Sequence, residues 1–152
     1  MPRITRDAEV LWEGSSARGR GALTAGTSGA FAGLPFSEPA RVAERAEETS
    51  PEELLAAAHA ACFAMSLAAE LTRRRTPPGR LTVRSTVVMD EVEGAGHRIV
   101  ESQLFVRAAV PVADVAGFRA AVADADAGCP FSALVRASGS VSVDARLEEE
   151  EI

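Results

Sequence analysis

Two thiols, one histidine and a few charged side chains carry most of the chemistry open to this chain. Cys62 and Cys129 are its only cysteines, and His59 stands three residues before the first of them. On a helix that spacing puts His59 and Cys62 on one face, as a base beside a thiol or as half of a metal site. Zinc takes three or four ligands, and only Cys129 and His97 remain as further soft or borderline donors, so no metal is expected. His59 also has a purely structural reading, as an imidazole satisfied by backbone or water near a helix crossing. Cys62 lies in the most apolar part of the chain, where a thiol reads either as a small hydrophobe or as a protected nucleophile. Cys129 is flanked by Gly128 and Pro130 at an expected helix start, a setting whose free amides lower a thiol pKa. A thiolate or a peroxide oxygen needs a fixed cation or donor nearby. That singles out Arg41 and Arg45, each of which otherwise reads as solvated loop charge. Glu52 and Glu53 read as first-turn carboxylates that suit the helix dipole.

The element that must position Cys62 is a single long helix. Ser50 can cap it, Pro51 opens it, and Glu53 falls where a capping-box carboxylate belongs. From Leu54 to Leu71 only His59, Ser66 and Glu70 interrupt small or apolar residues, the pattern of a helix buried all round. Arg73, Arg74 and Arg75 suit its last turn, and Pro77 and Pro78 forbid continuation. Before it, residues 4–13 and 18–25 read as a hairpin, followed by a loop over 26–48 with room for one short strand near Phe36 or Arg41. After it, residues 81–90 alternate, with Leu81, Val83, Val87 and Met89 on one face. Residues 98–110 return across a glycine turn with Leu104, Val106, Ala108 and Val110 aligned. Asp114 caps a helix expected to end near Gly128, Pro130 opens another turn, and residues 141–147 alternate as a last strand. The order ββ(loop)αββααβ, with tight turns between consecutive strands, gives an α+β class with antiparallel pairing.

At 152 residues the chain reads as one domain, 1–152. Its apolar fraction is 47% but its aromatic fraction only 5%, so part of the core is expected to be completed by a second chain. A net charge of −6 argues against nucleic acid or an anionic membrane surface as partner. The acidic run 148–151 reads as a solvated tail. Residues 1–10 are charged throughout, so no secretory leader is expected, and the alanine-rich helix with its His59 and Glu70 is not expected to span a membrane. Two cysteines without a leader point to the cytoplasm and to free thiols.

These motifs together are familiar. PEELLAAAHAACFAMSLA at 51–68 with GCPFS at 128–132 resembles the OsmC/Ohr family, the osmotically inducible protein C and organic hydroperoxide resistance proteins. WEG at 12–14, RGRG at 18–21 and the TSPEEL and HAACF wording resemble its OsmC branch, and the resemblance spans nearly the whole chain. It implies an OsmC-like fold, with antiparallel sheets packed on long central helices in an intertwined homodimer. It also implies a thiol peroxidase for organic hydroperoxides that uses no cofactor. Cys62 would be the peroxidatic cysteine and Cys129 the resolving one, with a dithiol such as dihydrolipoamide or a lipoylated protein as reductant. The family's arginine and glutamate fall on Arg41 and Glu52. Because Arg41 leads into Val42-Ala43-Glu44-Arg45 rather than the family's usual wording, Arg45 and Arg18 stand as alternative cations.

Geometry adds a constraint of its own. Glu52 and Cys62 are ten residues apart on one helix, about 15 Å along its axis, so one straight helix cannot bring both to one site. If both serve one site, the glutamate, and Arg41 with it, come from a partner chain. Two other readings compete with the peroxidase: a dimeric binding protein for apolar ligands, and a thiol redox sensor. The set of Cys62, Cys129, Arg41 and Glu52 speaks against a mere ligand pocket, and nothing in the sequence reads as a sensor's output element.

Overall fold

The computed structural model describes residues 1–149, so the last part of the acidic run lies outside the described residues. The chain divides into two compact units, Met1–Pro51 and Glu52–Ile152.

The first unit is a three-stranded antiparallel sheet in the order β1-β2-β3 with a short helix after it. Strands β1 (Ala8–Glu13) and β2 (Arg20–Ala25) form the expected hairpin, and β3 (Leu34–Phe36) adds to the far edge of β2. Gly21 pairs with Phe36 across that edge, and a Cβ on Gly21 would collide with the Phe36 ring. The absent side chain lets Phe36 lie over the strand, where it tilts against Trp12 at 5.6 Å between ring centres. The short helix α1 (Glu38–Val42) had no counterpart in the sequence reading. Ser37 caps it through its hydroxyl on the Ala40 amide at 3.3 Å, with Pro39 in the first turn, the usual grammar of a helix start compressed into five residues.

The second unit is built on α2 (Pro51–Arg73), which runs unbroken through both Glu52 and Cys62. It ends before the two prolines. Arg75 takes a positive φ of 63°, the Thr76 amide reaches back to the Leu71 carbonyl at 2.9 Å and the Arg75 amide to Thr72 at 2.9 Å. This is a Schellman closure made without glycine. Strands β4 (Arg80–Val92) and β5 (Gly96–Ala109) pair antiparallel, with an irregularity between Val88 and Met89. Helices α3 (Val115–Gly128) and α4 (Pro130–Arg136) then carry the chain back, and β6 (Ser140–Leu147) joins β5 in parallel. That pairing departs from the all-antiparallel expectation, because β6 follows a helical crossover rather than a hairpin turn. A Cβ at Gly139 would strike the Val100 carbonyl, so glycine permits the tight entry of β6 beside β5.

One core holds this unit together. Phe63, Leu67 and Leu71 of α2 pack with Leu104, Val106, Ala108 and Val110 from β5 and its end, and with Phe118, Ala121 and Ala125 of α3. Burying each of the larger side chains stabilises the fold by roughly 1.5–3 kcal/mol. The buried stripe on α2 is narrow: only His59, Phe63, Leu67 and Leu71 are enclosed, while Met65 is 68% exposed. A helix apolar all round is therefore buried on one face only within a single chain. By length and composition α2 passes as a membrane span, yet its Phe63, Leu67 and Leu71 belong to the core just described.

Candidate active site

Cys62 sits midway along α2, half-buried, and Cys129 sits at the junction of α3 and α4, wholly buried. The junction explains the placement of Cys129. Pro130 opens α4 and biases the residue before it away from helical backbone, so Cys129 is extended, with φ −80° and ψ 114°. Cys129 thus ends one helix and starts the next. Gly128, the expected stop, is instead the last helical residue of α3.

The two thiols lie near each other: Cys62 packs against the core cluster that includes Cys129, the Cys129 thiol acts on that of Cys62, and both cysteines are free. Burial pushes the Cys62 thiol above its ordinary pKa, and the Cys129 thiol adds to this. The Phe131 backbone and the Ser66 side chain oppose it.

His59 lies one turn before Cys62 and is fully enclosed, with both ring nitrogens engaged. Nδ1 is 2.7 Å from the Ser102 hydroxyl on β5, and Nε2 is 2.9 Å from the Ser132 hydroxyl on α4. Ser102 is in turn 3.0 Å from the Ser85 hydroxyl on β4. Burial pulls the His59 pKa below its ordinary value. The Asp126 carboxylate acts against that shift and the Arg136 cation with it. Asp126 and Arg136 hold each other in a two-pronged pair, at 3.2 and 2.5 Å. That bond, chiefly, raises the arginine pKa, with a smaller contribution from Cys129.

None of these three serines, nor the Asp126–Arg136 pair, was singled out by sequence. The signal was present nonetheless. Ser85 interrupts the inward series Leu81, Val83, Val87 of β4, and Ser102 continues inward from Leu104, Val106 and Ala108 of β5. A polar residue at an inward position needs a partner, and His59 is that partner.

The other expected site residues belong to other segments of the chain. Glu52 is in the first turn of α2, ten positions and about 15 Å of helix rise from Cys62. Arg41 belongs to the first unit, in the last turn of α1, with its guanidinium 3.9 Å from Glu38. Arg18 and Arg45 are exposed in that same unit. Arg20, which the sequence reading did not weigh, bonds Glu48 at 2.5 Å, and the second carboxylate oxygen of Glu48 is buried without a hydrogen-bond partner. Among the described residues no group of three or more His, Cys, Asp or Glu is placed to hold a metal ion.

Known proteins resemble this chain over most of its length. The family model described as OsmC-like protein matches residues 44–144. Peroxiredoxin OsmC of Escherichia coli (strain K12) is 34% identical over 145 residues, covering 95% of this chain and 98% of that protein. The organic hydroperoxide resistance protein of Xanthomonas axonopodis pv. citri (strain 306) is 32% identical over 96 residues, covering 62% of this chain and 65% of that protein. Among solved structures, the organic hydroperoxide resistance protein OhrB of Bacillus subtilis superposes with a TM-score of 0.68 at 26% identity, over 93% of this chain and 98% of that one.

Proposed function

This chain belongs to the OsmC-like protein family, and from that membership and its paired thiols we propose that it is a cysteine-based peroxidase that reduces organic hydroperoxides to alcohols. The observation that carries the reading is the nearness of two free thiols, Cys62 being packed against the core cluster that includes Cys129. Cys62, the more accessible sulfur, attacks the distal peroxide oxygen as a thiolate. An S–O bond forms, the O–O bond breaks, and the alkoxide leaves as an alcohol after taking a proton. Cys129 then attacks the sulfenic sulfur, forming the disulfide and releasing water. A dithiol such as dihydrolipoamide, free or on a lipoylated protein, restores both thiols by exchange and is itself oxidised to a disulfide. No cofactor takes part. An apolar lining of small side chains on α2 favours alkyl or lipid hydroperoxides.

The thiolate has a further requirement. Burial and the neighbouring thiol hold Cys62 toward its protonated form, so the reaction calls for a cation that favours the thiolate. Arg41, oriented by Glu52, fills that role in this reading, with Arg45 and Arg18 as alternatives. If Glu52 and Cys62 serve one kind of site, their spacing along α2 calls for a homodimer in which each chain lends its glutamate to the other. Met65, 68% exposed on an otherwise apolar helix, and the exposed Val10, Leu11 and Trp12 of β1 are surfaces such a partner would cover. On the same reading residues 1–152 work as one OsmC-like domain in the cytoplasm, where free thiols persist.

The test is consumption of cumene hydroperoxide or a fatty-acid hydroperoxide by the reduced protein with dihydrolipoamide present. Turnover is expected. No consumption, or full activity in Cys62→Ser, overturns the mechanism, and a stable, active monomer in analytical ultracentrifugation overturns the shared site.

A further inference from the structure

We propose that His59 is a positioning residue for the resolving step: through its bond to Ser132 it holds the turn carrying Cys129 in reach of Cys62. The inference rests on the reading of Cys62 and Cys129 as a reacting pair. Its basis is the matched spacing on two helices. His59 and Cys62 stand three apart on α2, and Cys129 and Ser132 stand three apart across the start of α4. The imidazole of one pair meets the hydroxyl of the other at 2.9 Å, and Cys62 packs against the cluster that includes Cys129.

The Cys129 junction is a place where such a tie matters. Cys129 is a lone extended residue between two helices and has no side-chain cap bond of its own. A disulfide forms only when the Cα atoms lie within roughly 4.4–6.8 Å and the Cβ vectors converge. A small shift of α4 removes that geometry. His59 is anchored on its other side by Ser102, which Ser85 holds in turn, so the imidazole bridges the sheet to the first turn of α4. Full enclosure and two hydroxyl partners keep the ring neutral: one nitrogen donates to a serine and the other accepts from the second. His59 needs no contact with peroxide to act in this way.

Ser132→Ala removes the tie by deleting one oxygen. Ser102→Ala is its matched control, breaking the bond on the sheet side while leaving the tie to α4. Rapid mixing with cumene hydroperoxide separates Cys62 oxidation from disulfide formation, and intact mass reads the sulfinic form left when resolution lags. In Ser132→Ala, Cys62 oxidation is expected to stay within about twofold of wild type. Disulfide formation should slow about tenfold, the equivalent of one lost hydrogen bond, with sulfinic product rising to match. Ser132→Thr, which keeps a hydroxyl, should recover most of the rate. A second arm needs no peroxide: equilibration with reduced and oxidised dithiothreitol, where Ser132→Ala should lower the effective concentration of the thiol pair about tenfold. If wild type ignores the peroxide, the peroxidase reading fails while this arm still judges His59. Unchanged thiol–disulfide equilibrium in Ser132→Ala overturns the proposal. Equal slowing in Ser102→Ala and Ser132→Ala overturns it too, because loss of stability alone then accounts for both.

Discussion

The two cysteines are neighbours in the core, yet their surroundings could hardly be built more differently. Cys62 sits inside 23 residues of unbroken helix, where every neighbour along the chain is fixed by backbone bonds, and it is half-exposed. Cys129 occupies one extended residue between two helices, is only 1% exposed, and depends on proline and on side-chain ties for its position. The rigid, accessible thiol is suited to meet substrate. The enclosed thiol at a joint is suited to meet only its neighbour, and the local backbone around a joint can adjust when a disulfide forms and breaks. The contrast fits the proposed order of events, accessible thiol first and enclosed thiol second, and the substitutions below either break it or sharpen it.

The largest effect falls on the rigid side. Cys62→Ser should lower the rate of peroxide consumption by at least about a thousandfold, since an alcohol is a far weaker nucleophile than a thiolate. A stopped-flow peroxide assay measures this, and residual activity carried by Cys129 would reverse the assignment. Cys129→Ser should behave quite differently. One equivalent of peroxide is still consumed at near wild-type rate, but turnover with a dithiol is lost and Cys62 proceeds to sulfinic acid under excess peroxide. Intact mass after one and after many equivalents checks both halves. Unaltered dithiol-dependent turnover would remove the resolving role.

The same contrast explains what could be read from sequence. Around Cys62 the extent of the helix was legible: Pro51 at its start and the prolines beyond its end lie within one continuous segment, although its burial proved confined to one stripe. The hairpins were legible for the same reason, and with them the α+β class. Around Cys129 the local signals were half right. Pro130 does open a helix, but the Phe131 backbone at its start acts on the Cys62 thiol, and no local pattern says which sulfur a backbone group there will influence. The parallel pairing of β6 depends on how two helices cross over, which the alternation of residues 141–147 does not encode. The network of His59 with Ser85, Ser102 and Ser132 joins four elements separated by up to 73 positions. Its only trace in the sequence was two serines out of place on apolar strand faces. In the first unit, α1 was missed because five residues are too few for a period to declare itself.

A smaller effect is expected from the cation. In the isolated chain, burial and the Cys129 thiol push the Cys62 pKa up, so its thiolate fraction near neutrality is low and rises with pH. A guanidinium brought to the sulfur reverses this. Arg41→Ala should therefore slow peroxide reduction about a hundredfold near pH 7, the scale of losing one preorganised charge contact. It should also move the midpoint of the pH–rate profile to higher pH, so that part of the loss is regained in alkaline buffer. Glu52→Gln should give a milder form of the same shift, because it loosens the guanidinium without removing it. If Arg45→Ala or Arg18→Ala produces the shift while Arg41→Ala does not, the cation has been assigned to the wrong loop position.

The smallest effect concerns the joint and is read in stability rather than in rate. His59 is held neutral by burial, facing Asp126 on α3, Arg136 on α4, Cys62 on its own helix and the serines of β4, β5 and α4. Its folded-state pKa lies below the unfolded value of 6.5. As pH falls past that unfolded value, the unfolded chain takes up the proton before the folded chain can. The stabilisation from His59 is therefore complete above about pH 6.5 and is lost progressively below it, until the folded pKa is passed. His59→Gln removes the titrating group and leaves the serines imperfectly paired. It should cost about 1–3 kcal/mol at pH 7.5 and less at pH 5, where wild type has already surrendered part of the difference. Urea unfolding of both proteins at the two pH values measures the convergence. A gap that stays constant, or widens toward acid, would show that His59 is protonated inside the fold, and the neutral bridge between the sheet and the Cys129 turn would then have to be given up.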